Sequence, residues 1–136
     1  MNKVLMNTAA FKAVFDESDE FHQEGFTVWQ DLRKDNFQIW TTNFILDETF
    51  TLFRSQLGKS KTLKLRNSIA QSLKSIRIIR IYTVDEKKAW HYFEKLPGRG
   101  ISFTDCTSFV IMKRNGIKKA FTFDRDFAEA GFTVIP

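Results

Sequence analysis

Cysteine occurs once in the 136 residues, at Cys106. A single thiol excludes an internal disulfide framework and any zinc site built on cysteines, and its place on an apolar helical face gives it to core packing. Proline occurs only at Pro97 and Pro136, and no Pro/Gly/Ser-rich linker is present. With no internal repeat either, the chain reads as one domain over 1–136. No apolar run nears the ~20 residues that span a bilayer. The opening Met-Asn-Lys-Val-Leu-Met is too short for a secretory signal and shows no cleavage pattern, so a cytoplasmic protein is expected. The two histidines, His22 and His91, stand in no ligand pattern and are given structural roles.

What is abundant is apolar and basic. Hydrophobic residues make up 43% of the chain, with fifteen Phe, enough for a packed core and too many for disorder. The formal charge is +5 with a pI near 9.4. That balance favours an anionic partner, nucleic acid first, although basic proteins are common.

Short apolar runs alternate with helical patterns along the whole chain. Strands are predicted at 3–6, 38–41, 76–81 and 119–123, with 132–135 as a possible edge strand. Helices are predicted over 9–15, 20–34, 42–57, 61–73, 84–96 and 126–130, with another that carries Asp105 in its first turn, begins near Phe103 or Thr104 and stops at Asn115-Gly116. Ser18 or Asp19 is expected to cap the second helix, Thr42 or Asn43 the third, and Gly58 to end the third. This order predicts an α/β fold: three α/β/α layers around a mostly parallel sheet of four to five strands.

Residues Phe103 to Phe127 organise the reading. Asp105 falls in the first turn of one helix, and Asp124 directly follows the next strand. The carboxyl ends of strands and the starts of helices border the ligand crevice of an open α/β sheet. The two carboxylates can therefore meet there across a separation of nineteen positions (124 − 105). Converging carboxylates repel unless a cation or a shared proton compensates, and oxygen-only ligands suit Mg²⁺ or Mn²⁺ better than zinc. Taken singly, each has a plain structural role: Asp105 favours the helix dipole and Asp124 caps the next helix. At the end of the first strand the corresponding residue is Asn7, which offers a carbonyl oxygen and no charge. Glu48 shares a helical face with Phe44, Ile45 and Leu52, which makes it more inward than its neighbour Asp47. Alone, it would pass for a solvated helical acid.

The segments Val-Leu-Met-Asn-Thr-Ala-Ala-Phe, Thr-Thr-Asn-Phe-Ile-Leu-Asp-Glu-Thr-Phe-Thr-Leu, Ser-Phe-Thr-Asp-Cys-Thr-Ser-Phe and Ala-Phe-Thr-Phe-Asp-Arg-Asp-Phe occur in this order. Together they resemble the PIN-domain ribonucleases, and more narrowly the VapC toxins of bacterial toxin–antitoxin pairs. The likeness covers nearly the whole chain. It implies that Glu48, Asp105 and Asp124 match family acids holding Mg²⁺ or Mn²⁺, with Asp126 where many members carry a further acid. It also implies cleavage of a structured RNA such as tRNA or rRNA, a homodimer, and a VapB-type antitoxin laid over the active-site groove. The family's first acid is an Asp, and here that position is Asn7. On this reading the chain as written is nearly or wholly inactive, and an introduced Asp→Asn change accounts for it better than a natural degenerate copy.

Lys59, Lys61, Lys64 and Arg66, and separately Lys113, Arg114, Lys118 and Lys119, are RNA-contact candidates; each is also what a solvated helix face looks like. Trp29, Trp40 and Trp90 are expected in core or dimer packing. A non-catalytic PIN-like module that binds RNA or protein is the alternative function. A receiver-like phosphotransfer domain is a third, but no lysine stands convincingly at the strand end that such chemistry requires.

Overall fold

The computed structural model describes residues 2–136. Five strands form one sheet in the order β3-β2-β1-β4-β5, every neighbouring pair parallel. They are β1 (Lys3–Met6), β2 (Gln38–Thr42), β3 (Ile76–Ile79), β4 (Lys119–Phe121) and β5 (Thr133–Ile135). Val4, Leu5 and Met6 are all fully buried, because helices cover both faces of β1 and leave no solvent side to alternate with. The expected three-layer α/β/α fold is thus observed, with a sheet that is wholly parallel.

The helices are α1 (Thr8–Phe15), α2 (His22–Lys34), α3 (Asn43–Leu57), α4 (Lys59–Gln71), α5 (Thr83–Lys95), α6 (Phe103–Arg114) and the single turn α7 (Asp126–Glu129). The chain runs outward from β1 through β2 to β3, then back past β1 to β4 and on to β5. With the right-handed crossovers that parallel strands follow, this reversal assigns α1–α4 to one face and α5–α7 to the other, in keeping with the packing of α1 on α2 and α3 and of α5 on α6. The point of reversal lies between β1 and β4, where Met6 pairs with Phe121. Phe11, Phe53, Phe109, Phe121 and Phe127 are fully buried, and Phe109 of α6 meets Phe127 of α7 edge-on at 4.8 Å.

Helices α5 and α6 run antiparallel. Phe93 late in α5 meets Phe103 at the start of α6, while Asp85 early in α5 pairs with Arg114 at the end of α6. Asp85 is fully buried and also accepts from the Tyr82 amide, so this pair ties two helix termini together.

Several boundaries differ from the sequence expectation. The third strand ends at Ile79 and the fourth at Phe121, because pairing stops where the neighbouring strand does. Thr42 caps α3, its hydroxyl accepting from the Ile45 amide at 3.0 Å, and Gly58 ends it. The cap of α2 falls on Phe21 and not on Ser18 or Asp19; the Asp19 carboxylate instead accepts from the Phe21 amide at 3.0 Å. Trp29 and Trp40 are core residues, whereas Trp90 is half exposed.

Gly25 marks the closest approach of α2 to α1: a Cβ there would lie 2.7 Å from the Ala13 Cβ. Helix propensity alone favours Ala over Gly by about 1 kcal/mol. Overpacking costs about 1–3 kcal/mol, and a contact this short against a neighbouring helix puts the site near the upper end. Gly25→Ala is therefore expected to lower stability by about 1–2 kcal/mol, measured by urea unfolding. An increase in stability would show that α1 and α2 can separate freely.

Candidate metal centre

The carboxyl edge of the sheet at the β1/β4 reversal is where two diverging connections leave a crevice. Asp105 enters it from the third residue of α6. There it closes a reciprocal cap: its amide donates to the Ser102 hydroxyl at 2.9 Å, and its Oδ2 accepts from the Ser102 amide at 3.3 Å. Asp124 enters just beyond β4. Its amide donates to Thr122 Oγ1 at 3.0 Å, and its Oδ1 accepts from the Asp126 amide at 2.9 Å. Asp105 stands in the first turn of α6 as expected, whereas α7 is capped at Arg125 without a side-chain bond and Asp124 braces the turn before it; in both cases these bonds aim the carboxylate into the crevice.

One carboxylate oxygen from each of Asp105, Asp124 and Asp126 lies within 4.8 Å of the other two. Asp105 is buried and the other two are half-buried. Among the described residues, no Lys, Arg or His nitrogen comes within ion-pair distance of any of the three. The charge is uncompensated by protein. Burial, reinforced by the charges of Asp124 and Glu48, pushes the Asp105 carboxyl up to about 7, against the opposing pull of the Ser102 hydrogen bonds. Asp126 is likewise raised, by burial first and then by Asp124.

The donor set fits a hard divalent cation. Oxygens around Mg²⁺ bound at about 2.1 Å lie no more than about 4.2 Å apart. Oxygens that all lie within 4.8 Å of one another reach such a shell by small side-chain adjustments. An all-carboxylate set excludes the soft-ligand sites that select zinc or copper.

Glu48, on α3, stands at the margin of this group. Its Oε1 accepts from Thr8 Oγ1 at 2.6 Å, and Thr49 Oγ1 lies 3.0 Å from the same hydroxyl. Thr8 is the first residue of α1 and is buried. Glu48 is not among the three mutually close carboxylates, and its field is felt at Asp105. Asp47 is exposed. Asn7 lies at the same sheet edge, its amide donating to the Phe121 carbonyl at 3.4 Å. Its Oδ1 caps α1 by accepting from the Ala10 amide at 3.2 Å.

The basic candidates separate into two groups. Lys61 and Lys64 of α4 face the end of α1, lining a groove with Phe15, Asp16 and Glu17, and Lys59 begins the same helix. Lys118 and Lys119 lie at the amino edge of the sheet, opposite the carboxylates, in a groove shared with Lys3 and Gly116. Lys113 and Arg114 close α6 at the end away from Asp105, and Arg114 is held by Asp85. The structure thus places the Lys113–Lys119 group away from the crevice, because strand and helix direction carry chain neighbours of Asp105 and Asp124 to the other edge.

Three contributors escaped composition and charge, and of these only Ser102 carried a legible signal. Ser102 sits three residues before Asp105, the spacing of a reciprocal cap. Thr8 supplies the hydroxyl that holds Glu48, and nothing local distinguishes it from an ordinary helix-start threonine. Gly98 is a third: a Cβ there would fall 2.9 Å from Asp126 Oδ1, so the absence of a side chain gives that carboxylate its room.

A wholly parallel five-stranded sheet with acids gathered at its β1/β4 reversal defines a PIN domain, and residues 5–133 match that family, so the chain belongs to it. The resemblance read from the four segments holds. Among its relatives is the 23S rRNA-specific endonuclease VapC20 of Mycobacterium tuberculosis, 28% identical over 135 residues and matched over 97% of both chains. The crystal structure of M. tuberculosis VapC20, a Sarcin-Ricin loop cleaving toxin, superposes with a TM-score of 0.86 at 29% identity, covering 98% of this chain and 99% of that one. FitAcB from Neisseria gonorrhoeae shares the fold, with a TM-score of 0.70 at 16% identity over 98% of this chain and 96% of that one.

Proposed function

We propose that this chain is a VapC-type endoribonuclease, dependent on Mg²⁺ or Mn²⁺ and directed at a structured RNA, with ribosomal RNA the first candidate. The carrying observation is the convergence of Asp105, Asp124 and Asp126 with no protein cation to balance them. In this reading those three carboxylates hold the ion, and Glu48, fixed by Thr8, completes the negative field. When bound, a divalent ion lowers the pKa of a coordinated water and offsets charge on phosphate oxygens. Asp105 must surrender its proton to serve as a ligand, which near neutral pH it does readily. Lys59, Lys61 and Lys64 are proposed to contact the RNA backbone from α4, where phosphate binding needs cations but no fixed sequence. Lys118 would contact only RNA long enough to reach the opposite edge.

A VapB-type antitoxin is the proposed protein partner, by analogy with the relatives. The solved complex of VapBC2 from Rickettsia felis, which shares the fold at a TM-score of 0.71 and 12% identity over 97% of this chain and 96% of that one, pairs such components on promoter DNA. A homodimer is proposed as the working unit. No described helix is long and apolar enough to cross a membrane, in keeping with a cytoplasmic site of action on RNA.

One observation favours the second reading, a PIN domain that binds without cutting. Asn7 carries no charge, and its side-chain oxygen is already committed to the Ala10 amide. The decisive experiment incubates ribosomal RNA with the Asn7→Asp chain in Mn²⁺ or Mg²⁺, with and without chelator. Discrete cleavage that chelator abolishes is expected. Intact RNA throughout, together with no heat of divalent-ion binding by calorimetry, would assign the chain to the binding modules.

A further inference from the structure

A groove of about 480 Å³ opens beside Asp124, with Phe21, Phe123, Lys12, Asp19 and Arg125 among its walls. Phe21 and Phe123 lie in it as a parallel stack, centroids 4.6 Å apart and planes within 10°. Phe123 immediately precedes Asp124, and Phe21 is 40% exposed. Exposed apolar residues are ordinary when single; Phe26, equally exposed, is one. Phe21 differs in how firmly it is held. The buried Asp16 carboxylate gathers Lys12 and both the amide and hydroxyl of Ser18, and Asp19 accepts from the Phe21 amide. The connection from α1 to α2 is thereby fixed, and the ring is presented already oriented.

The charges nearby do not suit a phosphate. Lys12 is engaged by Asp16 and Asp19, and Glu20 and Asp124 add negative charge against Arg125. A neutral heterocycle with donor and acceptor edges meets such mixed walls far better, and every base has a π-face that an aromatic ring can receive. From these observations we infer that Phe21, backed by Phe123, is the stacking platform for an unpaired RNA base next to the phosphate that a divalent ion at the carboxylates would hold. The inference rests on the nuclease reading and adds to it a requirement for single-stranded character at the cleaved position.

The test uses the chain with Asn7 in place, which on the proposed reading leaves the RNA uncut, and two RNA probes: a hairpin carrying 2-aminopurine in its unpaired loop, and a blunt duplex of equal length. Loop binding is expected to quench the probe. Phe21→Ala should weaken loop binding about tenfold, the scale of one base–aromatic stack, and leave duplex binding unchanged. Phe21→Leu should weaken it nearly as much, and Phe21→Trp should preserve both affinity and quenching. Because Phe21 is exposed, all three variants are expected to melt as the parent does. Equal loop affinity for all variants, a leucine as good as phenylalanine, or equal losses on duplex would overturn the inference. So would a Phe21→Ala defect confined to binding an antitoxin peptide. If the unchanged chain binds neither RNA, the nuclease reading fails with it; if it binds both and Phe21 is neutral, only the platform fails.

Discussion

Asn7→Asp is expected to raise RNA cleavage in Mg²⁺ or Mn²⁺ by at least about a hundredfold, equivalent to about 2.7 kcal/mol of barrier. Asp is as good a helix cap as Asn, so the bond from the Ala10 amide and the start of α1 survive the change. What alters is charge. At an effective dielectric of 20, two unit charges about 5 Å apart interact by about 3 kcal/mol, so the three clustered acids repel a fourth by about 10 kcal/mol, whereas a divalent ion at ligand distance, about 2.1 Å, attracts it by about 16 kcal/mol. A carboxylate at position 7 therefore gains more from the ion than it loses to its neighbours. The same change should destabilise the metal-free fold and enlarge the rise in melting temperature on adding Mn²⁺. Cleavage assays and thermal melts with and without chelator measure both effects. Equal metal-dependent cleavage by the Asn7 chain would show that Asn7 is no impediment, and the account of the departure would have to be withdrawn.

The fold was readable because parallel sheets write themselves plainly. An apolar run such as Val4–Met6 has nowhere to lie except between two helical layers, and the helices between strands carry their own stops, as at Gly58. Direction was the harder part. Asp105 and Asp124 could be placed at one edge from topology alone, since one begins a helix and the other ends a strand. Applied to Lys113 and Lys118, the same rule sends them to the opposite edge, a consequence that charge alone, which made them RNA-contact candidates, does not carry. Phe21 was missed for a different reason. The helix expected over 20–34 takes in Phe21, while the true helix starts after it and the Asp16–Asp19 hydrogen bonds turn it outward. Local pattern records which residues are apolar; it does not record which of them a loop withholds from the core. Glu48 shows the converse, a side chain that looks solvated until the hydroxyl of Thr8, forty positions away, takes hold of it.

Asp105→Asn should separate the cost of the acidic cluster from its use. In the metal-free fold the Asp105 carboxyl titrates near 7 against an ordinary 3.8, so between those values the folded chain holds a proton that the unfolded chain has released. Stability then falls as pH rises from about 4 to about 7 and levels off above, the reverse of the usual carboxylate pattern. Asn keeps the shape, and its carbonyl can still accept from the Ser102 amide, so the cap persists while the titration disappears. In chelator, Asp105→Asn is expected to be about 2–4 kcal/mol more stable than the parent at pH 8 and nearly equal to it at pH 4. Adding Mn²⁺ should raise the melting temperature of the parent and leave that of Asp105→Asn almost unmoved. Urea unfolding at the two pH values and a metal titration followed by melting measure these effects. A variant less stable than the parent at pH 8 without metal would mean that the Asp105 charge is already balanced inside the protein. In that case the crevice would have no need of an ion.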